Sequence, residues 1–313
     1  MTTFYSSSGG TTTKDGQVAI APPLGATGAG HPTGQVLNAA QTGFNITQNG
    51  KTVPAFFIFA TEDGTISGWS PNLPDTSTSV IAVDNSKGGS SGDGAVYKGL
   101  AIGTTKDGTF LYAANFRNGS VDMFNSKFQL VKSFTDPTVP LGYAPFNVQV
   151  LDGKLFVTFA QQDAARHDDV AGAGHGFVDE FDLNGRKLAR VASHGPLNSP
   201  WGLAIAPSGF GEFSNDLLVG NFGDGTINVF SRTDQFLGKL DRPNGKPFHA
   251  TDLWGLMTNG NNILFTAGLA NESHGLFGEL SPTSAPGPSI ATLTGDQSGS
   301  GLHLGAAMGA RFG

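Results

Sequence analysis

A chain of 313 residues with a formal net charge of −7 and no cysteine excludes several classes of protein. It has no basic run to form a nucleic-acid footprint, no apolar stretch of about 18 residues to span a membrane as a helix, and no thiol for disulfides, thiolate metal sites or nucleophilic catalysis. Only 14% of the residues are charged, while Gly reaches 46 and Phe 24. That mixture suits a turn-dense β protein with Phe as its main core filler, since a disordered chain would carry more charge and fewer aromatics.

The N-terminal residues Met1 to Ser8 lack the basic and apolar regions of a secretory signal. Residues 3–20 read as one hairpin, and Pro22 to Pro32 as a Gly/Ala/Pro linker. Thr33 to Asn38 is a short strand, and Phe44 to Thr47 another apolar patch. The run Ala55 to Ala60 leads through Asp63-Gly64 into Thr65-Ile-Ser-Gly-Trp69, a hairpin signal because Asp-Gly favours tight turns between β-prone runs. Val80 to Val83 closes this unit.

The same order then recurs. Lys98-Gly-Leu-Ala-Ile leads to Phe110-Leu-Tyr-Ala-Ala, the turn at Asn118-Gly119, Ser120 to Phe124, and Leu130 to Phe134. Phe146 to Val150 leads to Lys154 to Phe159, then a long insertion from Gln161 to Gly176, then Phe177 to Phe181 and Lys187 to Val191. Pro200-Trp-Gly-Leu-Ala leads to Leu217 to Asn221, the turn at Asp224-Gly225, Thr226 to Phe230, and Phe236 to Leu240. Leu253-Trp-Gly-Leu-Met leads to Ile263 to Ala267 and Gly275 to Leu280. Corresponding lead positions are Gly34, Gly99, Asn147, Gly202 and Gly255. Four-stranded propeller blades run about 40–50 residues, and all the steps here but that from Gly99 to Asn147 are somewhat longer, with the excess in loops.

The pattern predicts an all-β chain folded as a β-propeller. Five complete units plus the leading hairpin predict six blades, the first or last incomplete or shared between the termini. Residues 1–282 are then a single propeller domain. Residues 283–313 form a Gly/Ser/Pro-rich tail that completes the split blade.

Three motifs carry a resemblance: Phe57 to Trp69, Arg166 to Phe177, and Ser193 to Ala204. They resemble a bacterial family of exported, uncharacterised propeller-like proteins, some of which end in an exosortase-type sorting tail. The likeness runs from about residue 3 to 280. Members of that family begin with a further Pro-Trp-Gly-Leu-like lead strand that is absent here, which implies a first blade cut in half and six blades in all. The resemblance implies an extracellular, periplasmic or cell-surface setting. More distantly, Gly220-Asn-Phe-Gly-Asp-Gly225 is similar to NHL-repeat and gluconolactonase-type propellers. Neither likeness brings an activity with it.

The expected ligand site is one mouth of the central channel. Glu62, Asn115, Gln162 (or Asp163) and Asn221 recur there, one polar group per blade. They read either as oxygen ligands for a hard cation such as Ca²⁺ or as turn caps bonded to local backbone. The insertion gathers Asp163, His167, Asp168, Asp169 and His175. Of these, Asp163, Asp168, Asp169 and His175 are the expected ligands for Ca²⁺ or another divalent cation, unless the loop simply packs on itself. His194 is the candidate general base. Two functions remain open. One is a ligand-binding or scaffold propeller that takes a small molecule, saccharide or protein at the mouth. The other is a metal-assisted hydrolase or lactonase, in which a channel cation polarises a carbonyl.

Overall fold

The computed structural model describes residues 2–3, 17–88, 93–242, 244–270, 272, 274–282 and 290–296. Strands β1 (Thr2–Thr3) and β2 (Gln17–Val18) pair as a small ribbon. The first blade takes β3 (Pro32–Leu37). A separate hairpin follows, β4 (Asn45–Gln48) with β5 (Lys51–Pro54). The blade then continues with β6 (Phe57–Thr61), β7 (Thr65–Trp69) and β8 (Val80–Asp84). The second blade is β9 (Tyr97–Thr105), β10 (Gly108–Asn115), β11 (Ser120–Asn125) and β12 (Leu130–Phe134). The third is β13 (Tyr143–Leu151), β14 (Lys154–Gln161), β15 (Phe177–Phe181) and β16 (Lys187–Ser193). The fourth is β17 (Pro200–Ile205), β18 (Leu217–Asn221), β19 (Ile227–Phe230) and β20 (Phe236–Lys239). The fifth is β21 (Leu253–Asn259), β22 (Asn262–Leu269), β23 (His274–Pro282) and β24 (Ile290–Asp296). A single 3-10 turn, Gly211–Phe213, interrupts the described β structure, and no described helix is long and apolar enough to cross a membrane.

The chain is thus an all-β propeller, but of five blades rather than the expected six. Each blade sheet takes four strands in sequence order, so no described blade is shared between the termini. The tail strand β24 pairs antiparallel with β23 and supplies the fourth strand of the fifth blade. The described ends of the N-terminal hairpin pair with each other, and Ala19 bridges to Thr78 just before β8 without adding a strand to blade 1, while residues 4–16 lie outside the described residues. The patch at Phe44 is not a blade strand either. It opens the β4–β5 hairpin, and its ring packs 5.2 Å from Phe128 in the turn after β11, tying blade 1 to blade 2.

Apolar layers fill the interfaces. One lies between blades 1 and 2 around Phe59, Ile66 and Phe124. Others follow around Tyr112 and Phe159, around Leu203 and Val219, and around Phe248 and Phe265. Lead strands pack side by side, β3 on β9, β9 on β13, β13 on β17 and β17 on β21. No comparable packing joins β21 to β3 among the described residues.

The recurring lead glycine has a steric cause. A Cβ on Gly34 would sit 2.6 Å from the Lys98 carbonyl oxygen, and one on Gly202 the same distance from that of Trp254. The backbone of the next lead strand occupies the place of the side chain. Asn147 departs from the rule, and its amide instead donates to the Trp201 carbonyl at 2.8 Å.

Gly64, Gly119 and Gly225 occupy the same corner between second and third strands, at φ of 82°, 70° and 65°. Their surroundings differ. A Cβ on Gly225 would collide with the Ala250 backbone, whereas one on Gly119 meets nothing within 4 Å. Gly225→Val should therefore destabilise the fold by several times the roughly 1 kcal/mol of left-handed strain expected of Gly119→Ala. Denaturant unfolding of the two variants checks this, and equal losses would contradict the close approach at Ala250.

Candidate ligand site at one mouth of the propeller

Lead strands begin, and second strands end, at the same end of the propeller. Pro32 pairs Thr61, Tyr97 pairs Asn115, Tyr143 pairs Gln161 and Pro200 pairs Asn221. That end carries both the second-to-third-strand turns and the insertion after β14. Beneath it the axis is filled. Val96, Phe116, Ala144, Phe146, Ala160 and Trp201 form a buried cluster against Phe222 and Trp254. Ring edges meet faces from Phe146 to Trp201 at 4.8 Å and from Trp201 to Trp254 at 4.6 Å. The Trp201 indole N–H is buried with no hydrogen-bond partner among the described residues. The Trp254 indole N–H donates to Glu272 at 2.7 Å.

Lys98 stands above this floor, second in β9, with its side chain only 4% exposed. A buried ammonium is costly unless paired. Lys98 Nζ donates to the Glu62 carboxylate at the end of β6 and lies 3.4 Å from Asp168 Oδ1 in the insertion. It also lies 5.7 Å from the centre of the Phe116 ring, within reach of a cation–π attraction. One side chain of blade 2 thereby joins blade 1 to the insertion of blade 3.

The insertion turns back on itself at a Gln162–Asp169 bridge and then runs to blade 4. There Gly172 N–H donates to Asn198 Oδ1 at 2.7 Å, and Gly174 N–H to the Leu197 carbonyl at 2.8 Å. Burial works against the charge of Asp168, but the Lys98 ammonium and His167 outweigh it and hold the carboxyl below the usual range. Its neighbour Asp169 shifts the other way. Burial raises its pKa, and neither the Ser199 hydroxyl nor the Lys98 charge fully offsets that.

The named residues divide into those drawn together and those whose polar atoms are taken up by other hydrogen bonds. The carboxylate of Glu62, the ring of His167 and the carboxylate of Asp168 each place an atom within 4.8 Å of the others. Asp163 instead caps its own loop, accepting from His167 N–H at 2.8 Å. His175 Nδ1 lies 2.8 Å from the Val170 carbonyl. Asn115 donates to Asp122 at 2.9 Å, Asn221 to the Pro196 carbonyl at 2.8 Å, and Gln162 to the Phe116 carbonyl at 2.6 Å. His194 Nδ1 is 2.7 Å from the Gly174 carbonyl, and its ring packs 4.5 Å from Phe177, so it fastens the insertion to the rim. A carbonyl only accepts, so Nδ1 carries the proton in both His175 and His194. Sequence reasoning passed over Lys98 as a strand start. The signal was a lone lysine opening an otherwise apolar lead strand.

No family model matches the chain. The uncharacterised protein R648 of Acanthamoeba polyphaga mimivirus is 31% identical over 261 residues, which cover 80% of this chain and 63% of that protein. The uncharacterised mimivirus protein L690 is 30% identical over 261 residues, covering 80% of this chain and 67% of that protein. The chain belongs to the family of these mimivirus proteins. It spans less than two thirds of the length of R648. Among solved structures, the gluconolactonase XC5397 of Xanthomonas campestris aligns at a TM-score of 0.56 with 16% identity, over 86% of this chain and 76% of that one. A putative gluconolactonase aligns at 0.53 with 16% identity, over 90% and 84%. At that identity the likeness is one of fold.

Proposed function

We propose that this chain is a ligand-binding propeller whose site is the mouth covered by residues 161–176, taking a small polar molecule or saccharide there. The single observation that carries the reading is the buried Lys98 ammonium, held between Glu62 and Asp168 over an aromatic floor. Charged groups placed together under a loop that no other blade carries are costly to assemble for structure alone. Aromatic faces beside a few convergent polar groups are the usual make-up of a small-molecule site. The same reading takes the protein to act outside the cell, on the strength of sequence resemblance. Amide hydrogen exchange with glucose, glucuronate and acetate as probes tests it. Changes should be confined to residues 97–98, 161–176 and 198–201. Changes restricted to the outer strands, or none with any probe, would overturn it.

The second reading is a metal-assisted hydrolase or lactonase. The observation favouring it is the convergence of Glu62, His167 and Asp168. Such a set of oxygen and nitrogen donors suits a divalent cation, but Lys98 Nζ already bonds an oxygen of each of the two carboxylates that an ion would need. An ion bound at a hundred times its dissociation constant would stabilise the fold by about 2.7 kcal/mol. The metal reading therefore expects Ca²⁺, Mn²⁺ or Zn²⁺ to raise the melting temperature, EDTA to reverse this, and Asp168→Ala with Asp169→Ala to abolish it. Native and doubly substituted proteins that melt alike in every condition would end the metal reading. A lactone and ester screen with and without chelator then decides whether there is turnover.

A further inference from the structure

The two carboxylates on Lys98 are unlike. Glu62 is 22% exposed at the end of a blade strand, and its contact to Nζ is tight. Asp168 is 64% exposed, sits 3.4 Å away, and belongs to the insertion rather than to a blade. The ammonium itself is almost sealed, with its side chain 4% exposed. Below lie Phe116, the half-buried Phe222 and Trp254, whose rings are 4.6 Å apart, and the buried Trp201 indole N–H, which has no hydrogen-bond partner among the described residues.

We propose that Lys98 is the anchor for a ligand carboxylate, and that Asp168 occupies the ligand's place in the unliganded protein. This rests on the reading of the mouth as a ligand site, and it names the class of ligand: a small carboxylic acid, with a sugar acid the class that would also use the aromatic floor. The carboxylate replaces Asp168 on Nζ. One ion pair is exchanged for another, so the charge around the buried ammonium is unchanged and Glu62 keeps its hydrogen bond. Once displaced, Asp168 returns to solvent, where a group already mostly exposed loses little. The segment 163–169 is then released, while the 172–176 end stays fastened to blade 4 by Gly172 and Gly174. Binding and loosening of the loop are therefore the same event. The internal competitor lowers the apparent affinity by the fraction of time that it vacates the amine.

Calorimetric titration with two matched pairs, glucuronate against glucose and acetate against acetamide, tests this on the full chain. The acids should bind and their neutral counterparts should bind much more weakly. Asp168→Asn, an exposed change that leaves the fold standing, should bind glucuronate about fivefold more tightly than native, the scale of one exposed ion pair. Lys98→Met should lose the preference for the acid. Hydrogen exchange in 163–169 should speed up when glucuronate is added to the native protein. If Lys98→Met does not fold, Asp168→Asn decides alone. Glucuronate binding no tighter to Asp168→Asn than to native overturns the competitor role. Equal binding of acid and neutral probes overturns the anchor while leaving the mouth a ligand site. Binding of no probe, with no exchange change at the mouth, removes both readings.

Discussion

Arg190→Met should cost about 3–5 kcal/mol of stability, the usual penalty for breaking a buried ion pair and leaving its partner uncompensated. Asp179 on β15 is fully buried, and Asp136, in the connection from blade 2 to blade 3, is 1% exposed. Arg190 on β16 donates from Nε to Asp179 and from Nη2 to Asp136, with its guanidinium 4.8 Å from the Phe177 ring centre. Lys187 Nζ reaches Asp136 at 2.5 Å. Methionine keeps much of the volume and removes the charge, leaving two buried carboxylates with one ammonium. Urea unfolding measures the loss, and a change under about 1 kcal/mol would show that the network is held by other contacts.

The same cluster sets a pH dependence. Burial, with Asp136 alongside, pushes Asp179 up to about 7 from an ordinary 3.8. The folded chain thus keeps a proton that the unfolded chain releases, and the stability drawn from Asp179 falls as pH rises from about 4 to 7. Asp136 shifts downward. Burial opposes its charge, but Lys187 and Thr138 outweigh this, so its contribution is lost only in strong acid. Asp179→Asn should flatten the slope between pH 5 and 7. An unchanged slope would mean that other groups carry it.

Trp201→Ala should be comparably severe, at about 3–5 kcal/mol. Trp201 is 1% exposed at the axis, and it is the ring that links Phe146 on β13 to Trp254 on β21. Aromatic pairs add roughly 0.5–1.5 kcal/mol each beyond area burial, and both are lost together. Thermal unfolding checks the expectation, and a variant that melts like the native protein would show that the axial cluster does not hold the lead strands.

The blade order was legible because local signals repeat. A lead Gly marks where the next lead strand's backbone approaches, as at Gly34 and Gly202, and the Asp63-Gly64 and Asp224-Gly225 turns mark hairpin corners. The blade number differs because residues 3–20 read as a spare half-blade, whereas the described β1 and β2 pair as a ribbon outside the five blade sheets. Phe44 reads in the sequence only as an apolar patch, and it is the root of an inserted hairpin. Ile290 to Asp296 looked like part of a tail and pairs as the fourth strand of blade 5. At the mouth, Glu62 and Asp168 stood out as charges in a charge-poor chain. What joins them did not, because Lys98 lies 36 residues from one and 70 from the other. Contacts made across blades leave no local pattern. Asn115 and Asn221 show the converse, since each is hydrogen-bonded close to its own corner.

The burial of Lys98 beneath the insertion is the claim on which the site depends, and amine-reactive labelling followed by mass spectrometry measures it directly. Lys106, whose side chain is 87% exposed, is the internal reference. In the native protein Lys106 should label readily and Lys98 scarcely at all, and Asp168→Asn should raise labelling at Lys98 while leaving Lys106 unchanged. Lys98 labelling as fast as Lys106 in the native protein would contradict the account.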